Sequence, residues 1–121
     1  MIHRSILDKV GLFDESLIIC EDYDLWLRIL INNEIGLIDE YLLLKHGGRT
    51  DQLSCIAWGI DKFHIQSLEK ILLEISCIEK KEQIVQMLLF KISIMLKGAK
   101  KHKNNVILKI YNSKLEKYRS E

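Results

Sequence analysis

The sequence predicts an α/β fold with two or three short strands and a mostly helical C-terminal half. Three observations carry that expectation. Ile35-Gly36-Leu37-Ile38 and Tyr41-Leu42-Leu43-Leu44 are unbroken apolar runs of strand length, the pattern of strands buried on both faces. Leu17-Ile18-Ile19-Cys20 is a third apolar run and reads as a short buried strand or extended segment. Helical spacing of apolar residues governs residues 21–32 and most of the chain after residue 54.

At 121 residues the chain is one domain's worth, long enough to hold a core. Its 48% hydrophobic and 29% charged residues match a folded globular protein rather than a disordered one. A formal net charge of +1 predicts no general attraction to nucleic acid or to acidic membranes, so partners must be argued locally. The longest apolar stretch, 84–96, is short and interrupted by Gln86 and Lys91, so no transmembrane segment is expected. Cys20, Cys55 and Cys77 are odd in number and lack metal-type spacing. A cytoplasmic setting follows as the expectation, with peripheral membrane contact as an option.

Ser5-Ile6-Leu7-Asp8 has the form of a capping box, and Gly11 stands where a short helix over 5–10 would stop. The next helix is expected from Glu21 to Asn32, with Leu25, Trp26, Ile29 and Leu30 on its buried face. Glu21, Asp22 and Asp24 crowd its first turn, where the positive end of the macrodipole favours carboxylates, and Asp24 with Arg28 forms an i,i+4 pair. Ser54 is placed to cap a helix over 55–76 with Ile56, Ile60, Phe63, Leu68, Ile71, Leu72 and Ile75 inward. A helix over 79–96 follows, with Ile84, Met87, Leu88, Ile92 and Met95 as its stripe and Gly98 as its stop. Asn104 caps a last helix bearing Ile107, Leu108, Tyr111, Leu115 and Tyr118, and the final two helices are expected to pack as a hairpin. The basic turn 97–103 between them is read as solvated, with contact to phospholipid or a lipid-linked acceptor as the sharper option.

The order of parts at the start of the chain carries a resemblance. His3-Arg4-Ser5, Gly11-Leu12-Phe13-Asp14-Glu15 and Glu21-Asp22-Tyr23-Asp24-Leu25-Trp26-Leu27-Arg28 together resemble the acceptor-side segment of family 2 glycosyltransferases. The resemblance implies the C-terminal fragment of a GT-A-like nucleotide-sugar transferase, with 1–54 as part of the catalytic domain and 55–121 as a helical extension. It implies Asp22 as catalytic base beside Glu21, with Asp24 and Arg28 structural at the site. Asp22-Tyr23-Asp24 is also literally an Asp-x-Asp, but a metal motif of that kind ends a strand, whereas helical periodicity begins here at once.

The loop Lys45-His46-Gly47-Gly48-Arg49 holds the only glycine pair. The resemblance implies that His46 is a metal ligand and Arg49 a phosphate contact, and that a divalent metal, magnesium or manganese, serves the complete enzyme. Trp58 either stacks on a sugar ring or packs in the core. The partners implied are a nucleotide-sugar, a glycan or lipid-linked acceptor, and a separate N-terminal half carrying the donor site; by itself the chain is expected to be inactive. The competing expectation is a non-enzymatic helical interaction protein or a truncated reading frame, in which the acids only start a helix.

Overall fold

The computed structural model describes residues 2–44 and 59–120. Among them the chain is helical: α1 (Arg4–Val10), α2 (Glu21–Asn32), α3 (Asp61–Glu74), α4 (Ile78–Lys101) and α5 (Asn105–Arg119). No strand occurs among the described residues. The α/β expectation is therefore corrected. Residues 35–38 and 41–44 form no strand, and Leu37, Ile38 and Leu42 to Leu44 stand in solvent. An extended apolar segment becomes a strand only when a second strand takes up its backbone hydrogen bonds, and local composition cannot supply that partner.

Helix starts and stops follow local chemistry with three departures from expectation, the first being that the helix expected over 55–76 runs only from Asp61, after Gly59 at φ 75°, to Glu74. The N-cap of α1 is His3, whose Nδ1 accepts from the Ser5 amide at 3.3 Å, so the capping box does not form. Gly11 stops α1 with φ of 81°, and its amide returns to the Leu7 carbonyl. The helix expected to end at Gly98 runs through it to Lys101. The chain instead turns at Lys103, which takes a left-handed φ of 52°, and Asn104 Oδ1 then accepts from the Ile107 amide at 3.1 Å to cap α5.

The three C-terminal helices make the core. Ile65 and Leu68 of α3, Leu88, Ile92, Met95 and Leu96 of α4, and Tyr111 and Tyr118 of α5 form one buried cluster. Its apolar stripes repeat every three to four residues, so each helix turns one face inward along its length. Met87 departs from the expected α4 stripe and is exposed, whereas Leu96 and Ala99 are buried. Tyr23 and Leu27 of α2 pack onto the same cluster, which docks α2 against α3. On α2 the buried residues are Asp24, Leu25 and Ile29, while Trp26 and Leu30 remain 39% and 43% exposed. The inward face is thus turned from the expected one toward Asp24, for a reason found in its partners.

Leu17 and Ile19 are buried and Ile18 is exposed, but the chain bends at 18 and 19, so this third apolar run forms no strand either. The C-terminal end of α2 is closed from outside: Lys80 Nζ donates to the carbonyls of Leu30, at 3.3 Å, and Ile31.

Candidate functional site

The start of α2 gathers the titratable groups. Its N-cap, Cys20, sits in the left-handed region at φ 65° and offers no side-chain cap, so the first turn depends on its own acids and on neighbouring elements.

The three acids have different fates. Asp24 is fully buried. Its Oδ2 accepts from Arg28 Nε at 2.8 Å and its Oδ1 from Lys70 Nζ of α3 at 3.3 Å. Lys70 also donates to Asp14 Oδ2 at 2.7 Å, and Asp14 Oδ1 accepts from both the hydroxyl and the amide of Ser16. Arg28 also donates from Nη1 to the Val10 carbonyl and from Nη2 to the Leu12 carbonyl, at 2.6 Å for the latter. One network therefore ties the end of α1, the turn at Asp14, α2 and α3 together. The Lys70 ammonium and the Ser16 donors hold the Asp14 carboxyl well below the usual carboxylate range, and Asp14 in turn raises Lys70.

Asp22, by contrast, is exposed. Its Oδ1 accepts from the Tyr23 amide at 2.7 Å, and among the described residues no cation pairs with it. Glu21 is half-buried beside it. Asp22 and Asp24 thus point to different surroundings, one solvent and the other a lysine and an arginine, and cannot close on one ion together.

On the side of α2 that faces α3 and α4 lies a second polar group that sequence reasoning did not single out. Asp61 Oδ1 accepts from Lys91 Nζ at 2.9 Å, and His64 Nδ1 lies 3.3 Å from the same oxygen and 3.2 Å from Lys91 Nζ. The Tyr23 ring packs on the imidazole with centroids 4.2 Å apart. Burial raises the Asp61 carboxyl, but hydrogen bonds from Lys91 and His64 outweigh it and hold it below its ordinary value. Burial also pushes up the Cys20 thiol, with the charges of Asp22, Glu21 and Asp61 adding to it and Lys91 opposing. Cys20 is therefore a protonated thiol at neutral pH and a poor nucleophile. The Tyr23 phenol is raised in the same way, by burial and then by Asp61.

The Asp61–His64 spacing of three was present in the sequence as a helical pair. Lys91 and Lys70 carried no local signal, because each is brought in by tertiary packing from a helix remote along the chain.

Comparison of the chain with protein-family models, curated proteins and solved structures finds no match. His46, Arg49 and Trp58, together with the glycine pair, Ser54, Cys55 and Ile56, lie outside the described residues. Among the described residues no group of three or more His, Cys, Asp or Glu side chains is arranged to hold a metal ion. The magnesium or manganese implied by the glycosyltransferase resemblance has no fitting donor set there. What the arrangement offers is an open carboxylate at a helix start, held on a helix locked by the Asp24–Arg28–Lys70 network. A carboxylate of that kind can accept a proton from a bound hydroxyl.

Proposed function

We propose that the start of α2 presents the base of an inverting glycosyl transfer from a nucleotide-sugar to an acceptor hydroxyl. Asp22 takes the hydroxyl proton as the acceptor oxygen attacks the anomeric carbon, and the diphosphate departs with the electrons of the broken bond. The motif Gly11-Leu12-Phe13-Asp14-Glu15 followed by Glu21-Asp22 and Asp24 to Arg28 supports this reading. The observation that carries it is the division of labour within one turn: Asp24 is consumed by Arg28 and Lys70, while Asp22 is exposed and meets no cation among the described residues. Asp24 and Arg28 then serve as positioning residues. Glu21 flanks the base.

The donor nucleotide is assigned to a nucleotide-binding unit outside these residues, and the setting to the cytoplasm. Calorimetric titration of the chain with uridine- and guanosine-diphosphate sugars, with magnesium or manganese, is expected to show no tight site. Micromolar binding would move the donor onto this chain. The test of the base is Asp22→Asn in this segment joined to a family 2 nucleotide-binding half. Removal of a positioned general base lowers turnover by roughly a hundredfold to ten-thousandfold. Wild-type turnover in Asp22→Asn would end the proposal.

A second reading is a non-enzymatic interaction protein. It is favoured by one specific observation, the run of exposed apolar side chains from Leu37 to Leu44, broken only by Asp39 and Glu40. Under this reading the acids only start α2, and Asp22→Asn changes nothing but the local charge.

A further inference from the structure

Charge is distributed unevenly along the chain. Its net charge is only +1, yet no Asp or Glu occurs between Glu82 and Glu116. Folding concentrates that asymmetry at one end of the molecule, because α4 and α5 are antiparallel neighbours joined at 102–104. Nearer the body, Lys91 is bound to Asp61 and Lys114 to Glu69, although Lys81 and Lys117 have no carboxylate partner among the described residues. Lys97, Lys100, Lys101, Lys103 and Lys109 are all exposed, and none has a carboxylate partner among the described residues. His102 is exposed among them.

The bland explanation covers part of this cluster. Lys100 and Lys101 occupy the last turn of α4, where cations complement the negative end of the macrodipole. Lys103, past the helix end, and Lys109, in the second turn of α5, gain nothing from that effect. Lys109 stands in the half of α5 where a cation is not favoured. Beside these lysines two aliphatic side chains face outward one turn apart on α5: Val106 is 70% exposed and Ile110 45%. Val106 and Ile110 thus add exposed apolar surface to the lysine-rich end of the hairpin.

We propose that the tip of the α4–α5 hairpin is a docking surface for anionic phospholipid bilayers, with the lysines on the headgroups and Val106 and Ile110 entering the interface. The chemistry matches on both counts. Lysines beside an acidic leaflet each strengthen binding by roughly fivefold, so five of them make a sufficient electrostatic anchor. Shallow insertion of aliphatic side chains adds an apolar term that a free phosphate or a polyanion in water would not use. Nucleic acid fits less well. Single strands are held by stacking on aromatic faces, and no Phe, Tyr or Trp lies between Phe90 and Tyr111. This surface is peripheral, as no helix among the described residues is long and apolar enough to cross a membrane. It is also independent of the role of Asp22.

The experiment is co-sedimentation of the full chain with vesicles of phosphatidylcholine alone and of phosphatidylcholine with about one-third phosphatidylglycerol, at low and high salt, guided by the expected screening. Binding is expected to the anionic vesicles only, and to fall at least tenfold at high salt. Lys100→Glu with Lys101→Glu should lower partitioning by more than tenfold, and Val106→Ser with Ile110→Ser by a smaller factor that salt does not alter. Circular dichroism and thermal melting establish that both variants fold. Because all four positions are exposed, a variant that fails to fold is replaced by Lys103→Glu with Lys109→Glu. Equal binding to neutral vesicles, or charge reversal without effect, overturns the proposal. So does tighter binding of a mixed-sequence single-stranded oligonucleotide than of anionic vesicles at the same salt, which would assign the surface to nucleic acid.

Discussion

Asp24 shows what a neighbouring helix does to the worth of one side chain. As an exposed i,i+4 pair with Arg28 it would contribute about half a kcal/mol. Buried completely, with Lys70 as a second partner, it stabilises far more, because its removal leaves an enclosed guanidinium without a counter-charge. Asp24→Ala is expected to destabilise the fold by about 2–4 kcal/mol, short of the full buried-pair range because Lys70 reaches solvent. Asp22→Asn should stay within about 0.5 kcal/mol of wild type, as exposed substitutions do. Urea unfolding of the two variants side by side checks this. Equal losses would mean that Asp22 is also built into the fold. Titration of the same network supplies a pH test. The depressed Asp14 carboxyl contributes stability that is present above its unfolded value, about 4, and lost as pH falls through its lower folded value. The raised Lys70 contributes stability present below its unfolded value, about 10.4, and lost as pH rises through its folded value. Wild type should therefore melt above Lys70→Met between about pH 4 and 10, with the gap closing at both ends. A gap that does not change with pH would show that Lys70 acts through packing alone.

Helix boundaries were legible in the sequence wherever a local signal was sufficient. The bounds and acidic first turn of α2, the Asn104 cap and the Gly11 stop are all short-range features, and the structure uses each of them. Gly98 is the instructive exception. A glycine after an apolar stripe normally marks a helix end, yet Leu96 and Ala99 are both buried against the core and carry α4 beyond it. Tertiary burial outweighs the backbone entropy of a single glycine, which is about 1 kcal/mol. A Cβ added at Gly98 meets nothing within 4 Å. Gly98→Ala should thus stabilise the protein by about 0.5–1 kcal/mol, seen as a higher melting temperature, and any loss of stability would mean that α4 is not continuous there.

Among the described residues, burial is concentrated in α3, α4 and α5, and the segment 35–44 takes no part in it. Leu37, Leu43 and Leu44 are each at least 80% exposed, and exposed apolar surface of this kind draws proteins together. Purified chain should self-associate with rising concentration in sedimentation velocity, and Leu37→Ser with Leu43→Ser should shift it toward monomer. A wild-type chain that remains monomeric at high concentration would show that this segment is covered in solution.

Residues 35–44 also mark where sequence reasoning reached its limit. Their apolar runs have strand composition, but a strand is a relation between two segments, and pairing partners are not encoded within either one. The same holds at the site. That Glu21, Asp22 and Asp24 open a helix was determined by residues within one turn of one another. That Asp24 faces inward, that Asp22 does not, and that Asp61, His64 and Lys91 assemble beside Tyr23 was decided by docking of α2 on α3 and α4. Lys70 arrives at Asp24 from 46 residues away, and Lys91 at Asp61 from 30. Helical propensity and capping act over three or four residues, so they determine the elements; which carboxylate is neutralised and which stays open depends on charges that only packing brings within reach.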